Sequence, residues 1–255
     1  MTKQTRLQLN VVQLYPDQMN IYGDNGNAQI ICRRAELYGY DVNLAAYNSI
    51  TDKSVLLAAD IILGGGGQDS GQSAIVDDLQ QIKPTLLQLA ESKVPMLMIC
   101  GLYQLFGHYF QTKDGKKLTG IGLFDLTTAG GDRRLIGNAV IANDELGEII
   151  GYENHSGVTA LGENQAALGR VVSGYGNDGT GTSEGAIKYA VIGTYMHGPV
   201  LSKNSKLADW LIRRAVERKY NDYKLVPADD DAKKTLFKLD RLVDTARAVA
   251  KSRPR

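Results

Sequence analysis

The chain has 255 residues, 43% of them apolar and 22% charged, with a formal net charge of +1. These proportions suit a soluble globular protein with a full core, as one α/β domain or a domain with an appendage, and they exclude a disordered or fibrous chain. No apolar run is long enough to span a bilayer, and the polar start Met1-Thr-Lys-Gln-Thr-Arg6 does not read as a signal peptide, so a cytoplasmic setting is expected.

Two cysteines, Cys32 and Cys100, make no disulfide framework. The three histidines and two cysteines have no CxxC or HxxxH spacing, so neither a zinc site nor any other metal or cofactor is expected. Residues 203–255 carry 15 Lys/Arg against 8 Asp/Glu, an excess of seven positive charges, which leaves the remainder acidic. These cations are spread along amphipathic helices with acidic neighbours. They read as a solvated or partner-facing surface rather than a nucleic-acid site.

In chain order, Leu7–Leu14 reads as a first strand. It runs into a thirteen-residue loop, 15–27, dense in Asp, Asn and Gly, which suits a functional loop at the carboxyl edge of a sheet. Ala28–Tyr38 reads as a helix containing a structural Cys32, and Asp41–Tyr47 as a second strand. Ala59–Leu63 is a short strand entering Gly64-Gly-Gly-Gly-Gln-Asp-Ser-Gly71. The lysine and hydroxyl of a GxxxxGK[ST] phosphate loop are absent, so carboxylate binding or half of an oxyanion hole suits these glycines better.

A helix is expected over Asp77–Ser92, interrupted near its start by Pro84, and a buried strand over Met96–Ile99. Cys100 then stands at the strand end, Gly101 permits a sharp turn, and Leu102–Phe110 continues at helical spacing. A cysteine between a strand end and a helix start meets outward-pointing N–H groups, which favour a thiolate, so Cys100 is a candidate nucleophile. Short runs at 120–126, 134–141, 149–152 and 168–172 predict antiparallel hairpins packed on the sheet. Ala186–Thr194 reads as one more strand, leading to Tyr195-Met-His-Gly-Pro199, and helices are expected over 203–219 and 229–250. The β-α-β-β-α-β order predicts an open, mostly parallel, doubly wound sheet with flanking helices, extra C-terminal helices, and ligands at the carboxyl ends of the strands.

A cysteine nucleophile needs a base close in space. His108 falls two turns into the expected helix, pointing away from the elbow. His155 follows a short strand and reads as a ligand-contacting residue. His197 follows a strand that ends at the same sheet edge as Cys100, which makes it the better base. Arg133 or Arg134 offers a bidentate clamp for a substrate carboxylate, against two solvated arginines as the alternative.

The strand–Cys–Gly–x–x–Gln104 unit and the downstream His197 resemble class I, triad-type glutamine amidotransferases, in the CobB/CobQ-type branch that includes cobyric acid synthase glutaminase domains. The resemblance tightens with Tyr15-Pro-Asp-Gln-Met-Asn-Ile-Tyr-Gly-Asp-Asn-Gly-Asn27, Leu63-Gly-Gly-Gly-Gly-Gln-Asp69, Arg134-Leu-Ile-Gly-Asn138, Gly151-Tyr-Glu-Asn-His155 and Gly193-Thr-Tyr-Met-His-Gly-Pro199. Together these are similar to GatD-like glutaminase subunits that work with a MurT-type, ATP-dependent Mur ligase in Gram-positive bacteria.

The resemblance covers residues 7–225 as an amidotransferase domain and leaves 226–255 as a basic helical extension. It implies hydrolysis of L-glutamine and delivery of ammonia, within a heterodimer, to a ligase that amidates the D-glutamate of lipid II. It further implies Cys100 as nucleophile, His197 as base and Arg134 as glutamine clamp, with Gly65, Gly66, Gln104 and His155 around the substrate and the N–H groups of Gly65/Gly66 or Leu102 holding the oxyanion. No nucleic acid or membrane insertion is implied. Leu102 departs from the usual elbow and is expected to narrow the oxyanion pocket. Pro199 stands where many members carry a glutamate after the histidine, so the orienting acid is expected from elsewhere in the chain or from the partner. The alternatives are a glutaminase of another amidation pathway, of cobyrinate type, and a DJ-1/PfpI-like elbow-cysteine protein with a glutamate on the strand before the cysteine.

Overall fold

Through the first hundred residues strands alternate with amphipathic helices, and the central ones, Ile61–Gly64 and Met96–Ile99, are apolar runs buried on both faces, as in a helix-covered parallel sheet. A computed structural model describes residues 7–221 and 224–253; the polar start, 1–6, lies outside the described residues. The first part comprises β1 (Gln8–Leu14), α1 (Gly26–Leu37), β2 (Asp41–Tyr47), α2 (Ser54–Leu57), β3 (Ile61–Gly64), α3 (Asp69–Glu91), β4 (Met96–Ile99) and α4 (Gly101–Leu105). There follow β5 (Tyr109–Gln111), β6 (Lys117–Thr119), β7 (Leu126–Asn143), β8 (Gly147–Leu161), β9 (Gly169–Ser173) and β10 (Ser183–Glu184). The chain ends in β11 (Ala186–Lys188), β12 (Val191–Thr194), β13 (Met196–His197), α5 (Ser205–Tyr220) and α6 (Asp230–Ser252).

The first sheet has the order β11-β12-β4-β3-β1-β2, parallel except for β11 at one edge. Leu14 pairs with Gly64, Gly64 with Met98 and Ile99 with Thr194, so β1, β3, β4 and β12 release their following loops at one edge. Helices α1, α5 and α6 pack as one group and α2, α3 and α4 as another, flanking the sheet. The second sheet is built on the long β7–β8 hairpin, which carries β13 on its far side. That pairing brings the stretch after β12 against the hairpin and closes one wall of the site.

Several local expectations are corrected. Helix α3 begins at Asp69, eight residues early, because Gln72, Ile75, Leu79, Ile82, Leu86 and Leu89 make one continuous buried stripe, and Pro84 sits on its exposed face without ending it. Helix α4 stops at Leu105 instead of running to Phe110. At Gly107 a side chain would strike the Leu126 carbonyl at 2.8 Å, and the chain turns there into β5. His108 is therefore not helical; it is exposed and pairs with Asp125 at 2.9 Å. The run 120–125 is a loop in which the N–H groups of Gly120, Ile121, Gly122 and Phe124 bond back to residues 105–108. The strand expected over 186–194 is two antiparallel strands, β11 and β12, reversed at Tyr189, which adopts φ 56°.

The C-terminal helix is tied into the body. Buried Arg34 of α1 pairs with Asp209 of α5 at 2.7 Å and Asp240 of α6 at 2.8 Å. Leu236 and Ala232 pack on Leu37, Ala250 packs on Val140 and Ile150 of the hairpin, and Arg247 donates to the carbonyls of Lys203 and Glu148.

Candidate active site

Strand β4 is fully buried up to Ile99, and the chain then turns abruptly at Cys100, with φ 48° and ψ −101°. Such a conformation costs a residue with a Cβ about 1–3 kcal/mol and persists only where the surroundings hold it. Here the Cys100 N–H donates to the Thr194 carbonyl at 2.8 Å, and its carbonyl accepts from the Gln104 N–H at 3.0 Å. Gly101 is required next to it, since a Cβ there would lie 2.7 Å from Met19 Cε and 3.1 Å from the Gly67 nitrogen. The thiol lines a cleft of about 340 Å³ shared with Tyr22, Gly67, Gln104, Arg134 and His155.

His197 reaches the same point from β13. Its Nδ1 lies 3.0 Å from Asp24 Oδ2 and 3.2 Å from Oδ1, so Nδ1 carries a proton donated to the carboxylate, and Nε2 is left buried on the side of Cys100. Burial alone would pull the imidazole down; the hydrogen bond to Asp24, with the Asp24 carboxylate and the Cys100 sulfur close by, outweighs it and raises the pKa to about 10. The orienting acid expected from elsewhere in the chain or from a partner is thus supplied by the Asn/Gly loop. The Tyr22 and His197 rings meet edge to face, with centroids 4.6 Å apart.

The Gly-rich loop brings these groups together, though not as expected. The Gly66 N–H donates to Asp24 Oδ2 at 2.9 Å, so it is committed to the acid and not free for an oxyanion. A Cβ on Gly66 would lie 2.7 Å from His197 Cε1 and 3.1 Å from Cys100 Cβ, which puts this glycine directly behind the pair. Gly65 packs against the Met19 carbonyl, and it is Gly67 that lines the cleft. Leu102 does not narrow the pocket either. Its side chain is fully buried against Gly64, where an added Cβ would meet Leu102 Cδ1 at 2.3 Å.

On the opposite wall Arg134 projects from β7. Its Nε donates to Asn154 Oδ1 at 2.7 Å and its Nη2 to the Tyr22 hydroxyl at 2.6 Å, which orients the guanidinium across the cleft. Arg133 instead lies over the Tyr175 ring. His155 is buried and stacks on Tyr195 with ring centroids 3.6 Å apart. Its Nδ1–H donates to the Gly157 carbonyl at 2.8 Å, because a carbonyl can only accept, and Nε2 is left as a buried acceptor without a partner. Burial pushes this histidine down to about 4, so it is neutral at physiological pH. The Gln104 amide accepts from Gln72 at 2.8 Å and donates to the Tyr195 hydroxyl at 3.1 Å, which makes it a brace of the cleft floor.

A thiol facing a histidine that an acid orients, beside a fixed guanidinium, can carry out acyl transfer from a small carboxylate-bearing amide. Residues 10–205 match the CobB/CobQ-like glutamine amidotransferase domain. The lipid II isoglutaminyl synthase (glutamine-hydrolyzing) subunit GatD of Staphylococcus aureus is 35% identical over 246 residues, covering 96% of this chain and 99% of that protein. This chain belongs to the CobB/CobQ-like glutamine amidotransferase family. The subunit of the same name from Streptococcus pneumoniae is 38% identical over 226 residues, 88% of this chain and 86% of that one. A solved structure described as a glutamine amidotransferase superposes with a TM-score of 0.58 at 14% identity, over 80% of this chain and 98% of its own, which supports the fold.

Of the residues that sequence reasoning placed at the site of this CobB/CobQ-like amidotransferase, Cys100, Arg134, Gln104 and His155 line the cleft, and His197 lies behind it with Gly66 against both it and Cys100. The same reasoning missed Asp24, Tyr22, Asn154 and Gly67. All four lie in stretches singled out for their composition, but nothing in a linear chain distinguishes Asp24 from Asp17, or Gly67 from its three neighbours. The strand glutamate of a DJ-1/PfpI-like site is absent, since β3 and β4 consist of apolar residues and one glycine.

Proposed function

We propose that this chain is the glutamine-hydrolysing subunit of a lipid II isoglutaminyl synthase, working with a MurT-like, ATP-dependent ligase in the cytoplasm. The observation that carries the reading is the buried Asp24–His197 pair aimed at Cys100 beside an oriented Arg134. Arg134 takes the α-carboxylate of L-glutamine, and His155 Nε2, an acceptor, takes a donor of the same substrate. The Cys100 thiolate attacks the side-chain amide carbon, while the N–H groups of Gly67 and Leu102 receive the oxyanion. His197 Nε2–H then protonates the departing nitrogen, ammonia leaves, and a thioester remains. Neutral His197 next takes a proton from water, hydroxide displaces the thiolate, and glutamate is released. The ammonia passes to the ligase, which amidates the D-glutamate of lipid II to D-isoglutamine.

The sequence carries no GxxxxGK[ST] motif for ATP, in keeping with a separate synthetase. We take residues 7–225 as the amidotransferase unit, with α6 (Asp230–Ser252) as an added helix docked on it. The test is ammonia release from L-glutamine by the wild type and by Cys100→Ala, each with and without a MurT-like ligase and lipid II. Wild-type release that rises with the ligase and vanishes in Cys100→Ala is expected. Release that survives Cys100→Ala overturns the reading.

A further inference from the structure

One buried carboxylate close to the site takes no part in that chemistry. Glu184, at the end of β10, is 0% exposed, and its hydrogen-bond partners among the described residues are uncharged. Both of its oxygens accept from the Thr194 hydroxyl at 2.9 Å, and Oε1 also accepts from the Tyr195 N–H at 2.6 Å. The Thr194 hydroxyl in turn accepts from the Met196 N–H at 3.1 Å. Three consecutive residues ahead of His197 are therefore pinned by one side chain, and the Thr194 carbonyl is the group that holds the Cys100 N–H.

The local build serves this contact. Gly185 adopts φ 65°, where a Cβ would strike the Gly193 carbonyl at 2.5 Å. The buried Asn177 amide clasps the Gly185 N–H at 2.9 Å and its carbonyl at 3.0 Å, fixing where Glu184 points. A carboxylate taken out of water without a counter-charge is costly, and shape alone would be served by a neutral side chain. Burial raises Glu184 to about 7, against the Tyr195 N–H and Thr194 hydroxyl bonds that lower it. The charged group that favours its ionised form is His197, while Glu153 of β8 opposes it. Tyr103 of α4 also feels its charge.

We propose that Glu184 is a second acid of this site, a positioning residue whose buried carboxylate clamps Thr194–Met196 so that Cys100 and His197 stay in register, and whose charge favours the imidazolium–thiolate pair. Asp24 orients the ring through a direct bond; Glu184 acts through the backbone and through space. The proposal rests on Cys100 and His197 being the working pair of the proposed function, but not on the identity of the substrate.

The test is site-resolved alkylation of Cys100 by iodoacetamide from pH 5 to 10, read by mass spectrometry so that Cys32 is counted separately. It needs neither glutamine nor ligase. Glu184→Gln keeps acceptor oxygen toward Tyr195 and removes the charge. It is expected to slow alkylation at pH 7 about 3–10-fold and to move the profile to higher pH. Thr194→Val removes the hydroxyl and is expected to move the profile in the same direction, while Thr194→Ser restores it. Profiles of Glu184→Gln and Thr194→Val that superimpose on the wild type overturn the proposal. If Glu184→Gln gives no cooperative melt, the Thr194 pair decides. A wild-type Cys100 that alkylates no faster than Cys32 overturns this proposal and the proposed function together. Shifted profiles in a protein that releases no ammonia from glutamine leave Glu184 as described and remove only the proposed substrate.

Discussion

Asp24 and His197, 173 residues apart in the chain, meet at 3.0 Å with side chains only 1% and 2% exposed. The acid comes from the loop after the first strand, and the histidine from the last short strand of the hairpin sheet. The four parallel strands between and around them bring both to one sheet edge. Because the Gly66 N–H holds the same carboxylate, this glycine of the loop after β3 positions the acid.

Asp24→Asn preserves the shape of the acid and removes its charge. The His197 ring then loses the partner that fixes its tautomer and holds it well above the usual histidine range. Turnover of glutamine is expected to fall about 10²–10⁴-fold with little change in KM. Steady-state kinetics check this, and a change confined to KM would contradict an orienting role.

Gly66→Ala places a methyl group 2.7 Å from His197 Cε1 and 3.1 Å from Cys100 Cβ. The expected outcome is a folded protein with its near-ultraviolet circular dichroism retained and glutaminase turnover reduced at least about 10-fold, since a misplacement of this order disrupts a positioned pair. Turnover within about twofold of the wild type would contradict the close packing behind the pair.

Arg134→Lys keeps the charge but loses the fork that Asn154 and Tyr22 orient. KM for glutamine is expected to rise about 10-fold or more with a smaller change in kcat. Tyr22→Phe removes only the hydroxyl that accepts from Nη2 and is expected to raise KM by about fivefold, the loss of one net hydrogen bond. Titration of glutamine against each variant separates the two effects.

His155 gives stability a pH dependence of known sign. Burial holds it at about 4 in the folded state against an ordinary 6.5, so the folded protein disfavours its proton. Its contribution is present above about pH 6.5 and is lost as pH falls toward 4, with a total on the order of 3 kcal/mol. Urea midpoints at pH 7.5 and 4.5 are expected to fall further in the wild type than in His155→Gln. Equal losses in the two would contradict the assignment.

Arg34→Met leaves the carboxylates of Asp209 and Asp240 without the cation that joins α1, α5 and α6. A loss of about 2–4 kcal/mol in urea unfolding is expected, the cost of breaking a pair whose arginine is buried. Loss of one more kcal/mol than in Arg33→Met, whose partner Glu36 is exposed, is the minimum the docked helix requires.

Period-two and period-3.6 patterning determined the parallel sheet, its strand order along the chain and the nucleophile elbow, because burial on two faces or on one leaves a direct trace in neighbouring residues. The same local logic located Cys100 and His197 at strand ends and Arg134 in a hairpin. It failed where a long-range contact decides the outcome: α4 ends where Gly107 must pass under Leu126, and β11–β12 reverses at a positive-φ Tyr189. The choice of Asp24 as the acid, the commitment of the Gly66 N–H to it, and the buried Glu184 behind Thr194 were decided only by tertiary structure. Each depends on distance between segments far apart in sequence, and hydrogen-bond partners across such distances leave no periodic trace in the chain.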